Sequence, residues 1–234
     1  MTRRLVLVGL AAILAGGCST SSSSSGRATV WVTRDRGAHV VHVGSVPAGL
    51  TAIQGLERVA KVETRYGGRY VHAVDGVGEH GQRAWFYYVN GYLADRSGGE
   101  YRLRVGDIDW WDFHYWHDPT QDPIVVGAFP EPFLHGYDGK RRPAAIVYRG
   151  RSRRRGALAL GRLLHARFVG PVTAGVPEST NVLLLTPEGG RLFFEQVPQK
   201  NPPRPGGPVF LLFSGDPLEL ARNPSKFRFH YSVR

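Results

Sequence analysis

The stretch that decides the fold is Ala84–His117, which reads AWFYYVNGYLADRSGGEYRLRVGDIDWWDFHYWH. It contains three strand-like runs separated by turn signals such as Asn90-Gly91, a dipeptide that favours tight hairpin turns. Ala84–Val89 and Ile108–Trp116 are rich in aromatic and β-branched residues and predict strands. Glu100–Val105 alternates apolar and charged residues and predicts a half-buried strand. The stretch therefore predicts a small antiparallel sheet.

The residues before this stretch predict a hairpin, a helix and two further strands. Thr29–Thr33 and His39–Val43 are β-branched runs on either side of a polar turn, which is typical of a hairpin. Thr51–Gln54 has the spacing of a capping box, and apolar residues follow at helical intervals for about three turns. Val62–Tyr66 and Arg69–Val74 favour strands. This order predicts an α+β fold in which one helix crosses a β-grasp-like mixed sheet.

Two motifs in this region resemble a known family. Trp85–Gly91 (WFYYVNG) is followed by Tyr101–Asp107 (YRLRVGD) and then by the aromatic strand. With the preceding hairpin and helix, they resemble the transcobalamin-like C-terminal domain, the small β domain of transcobalamin and intrinsic factor that also occurs on bacterial lipoproteins. The resemblance covers roughly residues 29–116. In the cobalamin carriers this domain closes over the ligand, so the resemblance implies a corrinoid as one candidate ligand, and no cofactor is expected.

The beginning of the chain has the features of an export signal. Met1–Cys18 combines a basic start with an apolar run and small residues, and it is too short to span a membrane. Its end, Leu14–Cys18, resembles a bacterial lipobox; the alternative is an ordinary signal peptide with an incidental cysteine. Residues 19–27 form a Ser-rich tether. We expect a lipid anchor at Cys18 that holds the chain on the extracytoplasmic face of the cell membrane.

Composition limits the classes of function. The formal net charge is +11, but an exported protein is not expected to meet nucleic acid. Cys18 is the only cysteine, which excludes an intramolecular disulfide framework. The arginine-rich run 149–155 could contact anionic lipid or wall polymer, and the alternative is that it forms the solvated start of a helix. We favour the second interpretation.

The rest of the chain predicts a second small α+β domain. The expected boundaries are 28–118 for the first domain, 119–123 for a linker and 124–234 for the second domain. Ser152 and Asp216 are placed to cap two helices. Further runs favour strands: Ile124–Phe129, Ala144–Tyr148, Val182–Thr186, Arg191–Val197, Pro208–Phe213 and Phe227–Val233.

Aromatic residues crowd the last strand of the quoted stretch. Strand alternation places Trp110 and Trp116 on one face and Trp111, Phe113 and Tyr115 on the other. One face is expected to pack on the helix, and the other is either covered by the second domain or free for a ligand or partner. A cleft between the domains would satisfy both alternatives. The residues predicted to bind a ligand are Asn90, Tyr92, Arg96, Trp110, Trp111, Tyr115 and Trp116.

Acidic and histidine residues overlap the same strand. Asp112 and His114 share one strand face and could hold a metal, with His117 and Asp118 following closely. The alternative is that these residues keep the sheet edge soluble. The sequence has no Gly-x-Ser-x-Gly elbow, P-loop or helical zinc motif, so neither a catalytic nor a metal site is predicted.

These patterns predict a membrane-anchored extracytoplasmic lipoprotein without catalytic activity. It would bind a small ligand, or a membrane-protein partner such as a transporter, at an aromatic surface and could act as an accessory in solute uptake. One alternative is a structural or adhesive module that binds protein or wall polymer. Another is a metal-dependent hydrolase built on Asp112 and His114.

Overall fold

A computed structural model describes residues 26–116, 122–187, 192–197 and 204–233. The predicted signal peptide, Cys18, His117, Asp118 and most of the predicted tether and linker lie outside the described residues. Among the helices of the described part, none is long and apolar enough to cross a membrane.

The first half contains two sheets and one helix. Its elements are β1 (Arg27–Arg34), β2 (His39–Pro47), α1 (Ala52–Glu57), β3 (Val62–Arg65), β4 (Tyr70–Val74), β5 (Val77–Gly78), β6 (Arg83–Val89), β7 (Tyr92–Leu93) and β8 (Ile108–Tyr115). The larger sheet is mixed and has the strand order β2-β1-β8-β6-β7, in which the central strand β8 runs parallel to β1 and antiparallel to β6. Strands β3, β4 and β5 form a separate antiparallel sheet.

Helix α1 begins as predicted and ends earlier. The hydroxyl of Thr51 accepts a hydrogen bond from the backbone of Gln54, whose side chain accepts in turn from the Thr51 backbone. This is the expected capping box. The helix ends at Glu57, which makes it shorter than the predicted three turns. Its buried face packs closely on β1 and on the loop that carries Leu103, because a Cβ on Gly55 would lie 3.4 Å from the Val30 side chain and 2.7 Å from that of Leu103.

The prediction of a strand at Glu100–Val105 was wrong. Only Arg102 forms an isolated bridge, to Thr51, although the Leu103 backbone exchanges hydrogen bonds of 2.7 and 2.8 Å with the loop before α1. The alternation nevertheless identifies the buried side chains correctly, since Tyr101 and Leu103 are buried while Val105 is 62% exposed. The segment forms no ladder because it lies along a loop, with no neighbouring strand among the described residues.

The second half contains a mostly parallel sheet. Its elements are β9 (Ala144–Tyr148), α2 (Arg154–Leu163), β10 (Phe168–Pro171), β11 (Asn181–Leu185), β12 (Phe193–Gln196), β13 (Phe210–Ser214) and α3 (Pro217–Arg222). The strand order is β10-β9-β11-β13-β12, and of these described strands only β12 runs antiparallel to its neighbour. Strands β9, β11, β12 and β13 coincide with predicted runs. Asp216 caps α3 as predicted, because its carboxylate accepts from the Leu218 backbone at 2.8 Å.

Several predictions for the second half need correction. Ile124–Phe129 is buried but contains a 3₁₀ turn at Val126–Ala128. Phe227–Val233 is largely irregular, with one bridge between Val233 and Phe194. Within the described residues, the Ser152 side chain forms no cap, and Arg153 occupies the N-cap position of α2. These apolar runs mark burial, but burial alone does not distinguish a strand from other backbone shapes.

The fold class predicted from the sequence is confirmed. The chain is α+β, with a β-grasp-like mixed sheet and one helix followed by a second unit of strands and helices. An apolar core runs through both halves and includes Trp111 and Leu103 from the first and Leu183 and Phe213 from the second.

Candidate functional site

The aromatic strand β8 presents its side chains as strand alternation predicts. On the face toward α1, Trp111 stacks on Tyr87 with ring centres 4.7 Å apart, and Phe113 lies 5.2 Å from Trp85. On the opposite face, Trp110 is fully buried and its indole donates to the Thr33 hydroxyl at 2.7 Å. Both faces of the strand are therefore packed inside the protein.

The C-terminal segment covers the face that carries Trp110. The rings of Tyr231 and Phe229 lie 5.3 and 6.2 Å from Trp110, and Val125 belongs to the same buried cluster. The structure thus matches the alternative in which the second half covers this face. Within the described ranges, no open cleft lies over Trp110, which is fully buried.

A buried hydrogen-bond network surrounds Asp112 on the covered face. Burial alone would raise the pKa of the Asp112 carboxyl, but hydrogen bonds from His114 and Thr33 outweigh it and hold the pKa below its ordinary value. The carboxylate accepts from the hydroxyls of Thr33 and Tyr231, the backbone of Arg36 and Gly37, and His114 Nδ1 at 2.7 Å. In this network Asp112 joins the β1–β2 turn to the C-terminal segment.

The described residues do not form a metal site around this pair. No group of three or more histidine, cysteine, aspartate or glutamate side chains in the described ranges is arranged to hold a metal ion. Asp112 already accepts several hydrogen bonds, and His114 stacks on Phe86 at 4.3 Å. The arrangement is that of a structural pair.

Asn90 and Tyr92, both predicted to contact a ligand, are buried. The Asn90 amide donates to Asp107 at 2.7 Å and to the Gly136 carbonyl at 2.6 Å. The Tyr92 hydroxyl donates to the Gly207 carbonyl at 2.6 Å. Both side chains hold segments of the second half against the β6–β7 turn.

Of the predicted ligand-binding residues, Arg96, Tyr115 and Trp116 keep substantial exposure. Tyr115 and Trp116 are 50% and 44% exposed at the end of β8. Arg96 follows β7 and lies over the rings of Tyr101 and Tyr137 while it pairs with Asp95. The expectation that all seven predicted residues share one exposed surface is corrected, because Asn90, Tyr92, Trp110 and Trp111 are inside the fold.

A different site lies at the carboxyl edge of the second sheet. Strands β9 and β11 are neighbours in the sheet. From β9 the chain passes through α2 to β10, on the far side of β9, whereas from β11 it passes to β12 and β13, on the far side of β11. Where parallel strands diverge in this way, the loops separate and leave a crevice outside their carboxyl ends. A cleft of about 420 Å³ lies there, lined by Ser152, Arg153, Gly156, Pro187, Asp216 and Pro217.

The cleft has a positively charged wall. Arg153 is buried, and its guanidinium donates to the Gly215 carbonyl at 2.6 Å, which fixes it at the start of α2. Exposed arginines at 149, 151, 154 and 155 surround this start. Asp216 contributes a carboxylate, which is engaged by the Leu218 backbone. The arginines outnumber the single carboxylate of Asp216, and the N-terminus of α2 adds a partial positive charge. Both favour a negatively charged ligand.

This site is not predicted from the sequence, although one signal is present. Apart from Arg153, the arginine run is exposed, as expected for a solvated helix start, but it also borders the cleft. It directly follows the strand β9 and Gly150, whose φ of +84° allows the chain to turn into the helix. A strand, a glycine turn and a helix in this order occur at ligand-binding edges of parallel sheets. The strand, glycine turn and helix indicate a ligand site only when the strand order is known, and the sequence did not reveal that order.

Fold and site together define an α+β protein with a β-grasp-like half and a parallel-sheet half that carries an open cleft. Residues 49–115 match the profile of a family described as "Domain of unknown function (DUF4430)", and this match supports the transcobalamin-like fold predicted from the aromatic segment. No curated protein sequence matches the chain.

Two solved structures are similar to part of the chain. A protein from Ruminococcus gnavus, provisionally described as metal binding, is 18% identical with a TM-score of 0.32, over 39% of this chain and 99% of that one. Haptocorrin, in complex with Cbi, is 15% identical with a TM-score of 0.33, over 39% of this chain. The similar region spans only 26% of haptocorrin.

Proposed function

We propose that this chain is a non-enzymatic lipoprotein, anchored through Cys18 on the extracytoplasmic face of the membrane, that binds a small anionic solute. The observation that carries the proposal is the cleft where β9 and β11 diverge, with Arg153 in its wall. Its volume of about 420 Å³ falls in the range of small-molecule sites. The lipobox-like sequence before Cys18 supports the anchor.

The chemistry of the cleft supports binding of an anion. A guanidinium, a hydroxyl from Ser152 and the start of α2 all provide donors, which suits a carboxylate or phosphate group. Charge-assisted hydrogen bonds of this kind contribute about 1.5–3 kcal/mol each. Two or three such contacts would give a solute enough affinity for an accessory in uptake. The part of Tyr115 and Trp116 that is exposed to solvent is where a membrane-protein partner would contact the chain.

The ligand is tested by thermal shift with the chain from residue 19 onward. The panel contains inorganic phosphate, sulfate, small carboxylates, phosphate esters and a corrinoid. A ligand at about one hundred times its Kd stabilises the native state by about 2.7 kcal/mol, which raises Tm measurably. We expect a saturable rise with at least one anion and loss of that rise in Ser152→Trp, which fills the cleft.

Ser225→Trp is the matched control, because Ser225 is also an exposed serine in a 3₁₀ turn. It should keep the shift. A panel without any anion-dependent shift would refute the anionic solute. If a corrinoid raised Tm equally in the wild type and in Ser152→Trp, the corrinoid would bind outside the cleft. Anchoring is tested separately by detergent partitioning of the full chain, in which Cys18→Ser should move from the detergent to the aqueous phase.

A further inference from the structure

We propose that the end of the first sheet near Gly26 is a membrane-facing surface that rests on anionic lipid. This inference depends on the proposed anchoring and adds to it an orientation of the protein. It is based on the position of the first described residues, on one exposed apolar side chain and on the basic residues around it. We call this set the Val105 surface: Arg27, Arg102, Arg104, Val105 and Lys140.

Three loops meet where the described chain begins. Gly26 lies against Val105, since a Cβ on Gly26 would be within 2.9 Å of that side chain. The Gly26 carbonyl accepts from the Ala48 backbone at 2.8 Å, and the Arg27 carbonyl accepts from the Gly106 backbone at 2.8 Å. The first described residues are therefore held to the loop that carries Val105.

Val105 is the apolar centre of this surface. Its side chain is 62% exposed, whereas the neighbouring Leu103 is buried. A valine exposed on a tight turn is suited to contact the interfacial region of a bilayer, particularly between basic side chains.

The exposed cations lie on the loops that meet around Val105. The Arg102 guanidinium donates to the Gly49 carbonyl at 3.1 Å, on the loop next to Gly26. Arg104 lies against the turn before Lys140, because a Cβ on Gly139 would be 2.9 Å from Arg104 Nε. Arg27, Arg102, Arg104 and Lys140 are all exposed.

The acidic groups next to this surface offset only part of its charge. Asp138 pairs with Arg104 at 3.1 Å and with Arg96 at 3.8 Å. Glu131 is buried and accepts hydrogen bonds from His135, which lies beside Gly106; this contact raises the pKa of the His135 imidazole. Asp107 also lies under this turn, where it is buried and accepts from the Arg104 backbone at 2.8 Å. The four exposed cations of the Val105 surface therefore outnumber the acidic groups in contact with them, and anionic headgroups attract each basic residue by about 1 kcal/mol.

The sequence places this surface close to the proposed anchor. Seven residues separate Gly26 from Cys18, which makes eight Cα–Cα steps, so even a fully extended segment spans at most about 28 Å. A short tether keeps the protein at a high effective concentration near the bilayer, and a weak attraction is then enough to orient it. The opposite charge of the lipid and the position of Gly26 both favour a bilayer as the occupant.

The test is vesicle sedimentation with the chain from residue 19, which lacks the lipid. Phosphatidylcholine vesicles with and without phosphatidylglycerol are compared at low salt. We expect binding to the anionic vesicles only, reduced by about one hundred-fold when Arg102, Arg104 and Lys140 are all changed to Ser. The matched control changes Arg34, Arg222 and Arg228 to Ser, three exposed arginines outside both the Val105 surface and the cleft, and it should keep most of the binding.

Val105→Asp provides a second variant with a smaller risk to folding, and it should also lose binding. Absence of binding to anionic vesicles, or an equal loss in the control variant, would overturn the proposal. Binding to a soluble polyphosphate but not to vesicles would overturn it in favour of a wall polymer. The chain used in this assay lacks Cys18 and therefore the lipid anchor, so a failure to bind vesicles does not bear on the anchor. The anchor is refuted separately, if the full chain partitions into the aqueous phase.

Discussion

Asp109 should make the protein less stable as the pH rises, and Asp109→Asn should remove that dependence. Asp109 lies on β8, is fully buried, and neither of its carboxyl oxygens has a hydrogen-bond partner among the described residues. One oxygen lies 3.7 Å from the position of a Cβ on Gly55, at the base of α1. Burial raises the pKa of the Asp109 carboxyl well above its ordinary value.

The direction of this change in stability with pH follows from the number of protons bound in the native and unfolded states. An unfolded aspartate loses its proton near pH 3.9, whereas the native state keeps the Asp109 proton to a higher pH. Between these two pKa values the native state binds more protons, so the free energy of unfolding decreases with pH. The stabilisation is complete below about pH 3.9, and the loss ends once the pH passes the native pKa.

The magnitude follows from the same relation. One group contributes a slope of up to about 1.4 kcal/mol per pH unit within this window. Asparagine has a similar size and does not titrate. The free energy of unfolding of Asp109→Asn, relative to the wild type, should therefore increase by up to about 1.4 kcal/mol for each pH unit between about pH 4 and the native pKa of Asp109, and should stay constant above it.

The assay is urea unfolding followed by tryptophan fluorescence, at several pH values from about 4 to about 8. Comparing variant with wild type at each pH cancels the contributions of the other titrating groups. Glu63→Gln, an exposed substitution in β3, is the control and should leave the pH profile parallel to that of the wild type. If Asp109→Asn also gave a parallel profile, or lost stability relative to the wild type as the pH rose, the reasoning would be refuted.

Two further substitutions test local features by the same urea assay. Thr51→Ala removes the capping box with Gln54 and should cost about 1 kcal/mol, whereas Thr64→Ala in the exposed strand β3 should cost far less; equal costs would contradict the cap. Gly91→Ala forces an L side chain to a φ of +83° with a backbone oxygen 3.0 Å from its Cβ, and should cost about 1–3 kcal/mol. Gly67→Ala is the control, because Gly67 has a φ of +68° but no described atom within 4 Å of its Cβ position, and it should cost about 1 kcal/mol. If Gly91→Ala cost no more than Gly67→Ala, the close backbone oxygen would not contribute to the cost.

Some of this fold was predictable from the sequence because its signals are local. The turn at Asn90-Gly91 and the caps at Thr51 and Asp216 depend on residues within a few positions of one another. Strand alternation in β8 depends on the backbone repeat alone and correctly separates Trp110 from Trp111. These signals were sufficient for the α+β class and for the region that matches the family profile.

Other features depend on contacts between distant residues. The Glu100–Val105 segment has strand-like alternation, but it lies beside a loop and not beside a strand. The exposed aromatic surface predicted around Trp110 does not exist in the described structure, because Tyr231 covers it from 121 positions further along the chain. Alternation identifies the apolar face of a strand, whereas the covering group is set by how the whole chain packs.

The candidate site belongs to this second group. Arg153 is one arginine among several in the sequence, and Asp216 is recognisable only as a helix cap. They line one cleft because β9, β11 and β13 run parallel and their carboxyl ends meet at the same edge. The sequence by itself determined the local elements and the apolar faces, since these depend on short-range geometry. The order of the strands, and therefore the position of the cleft, came only from the tertiary structure, where the burial of many distant side chains is satisfied at once.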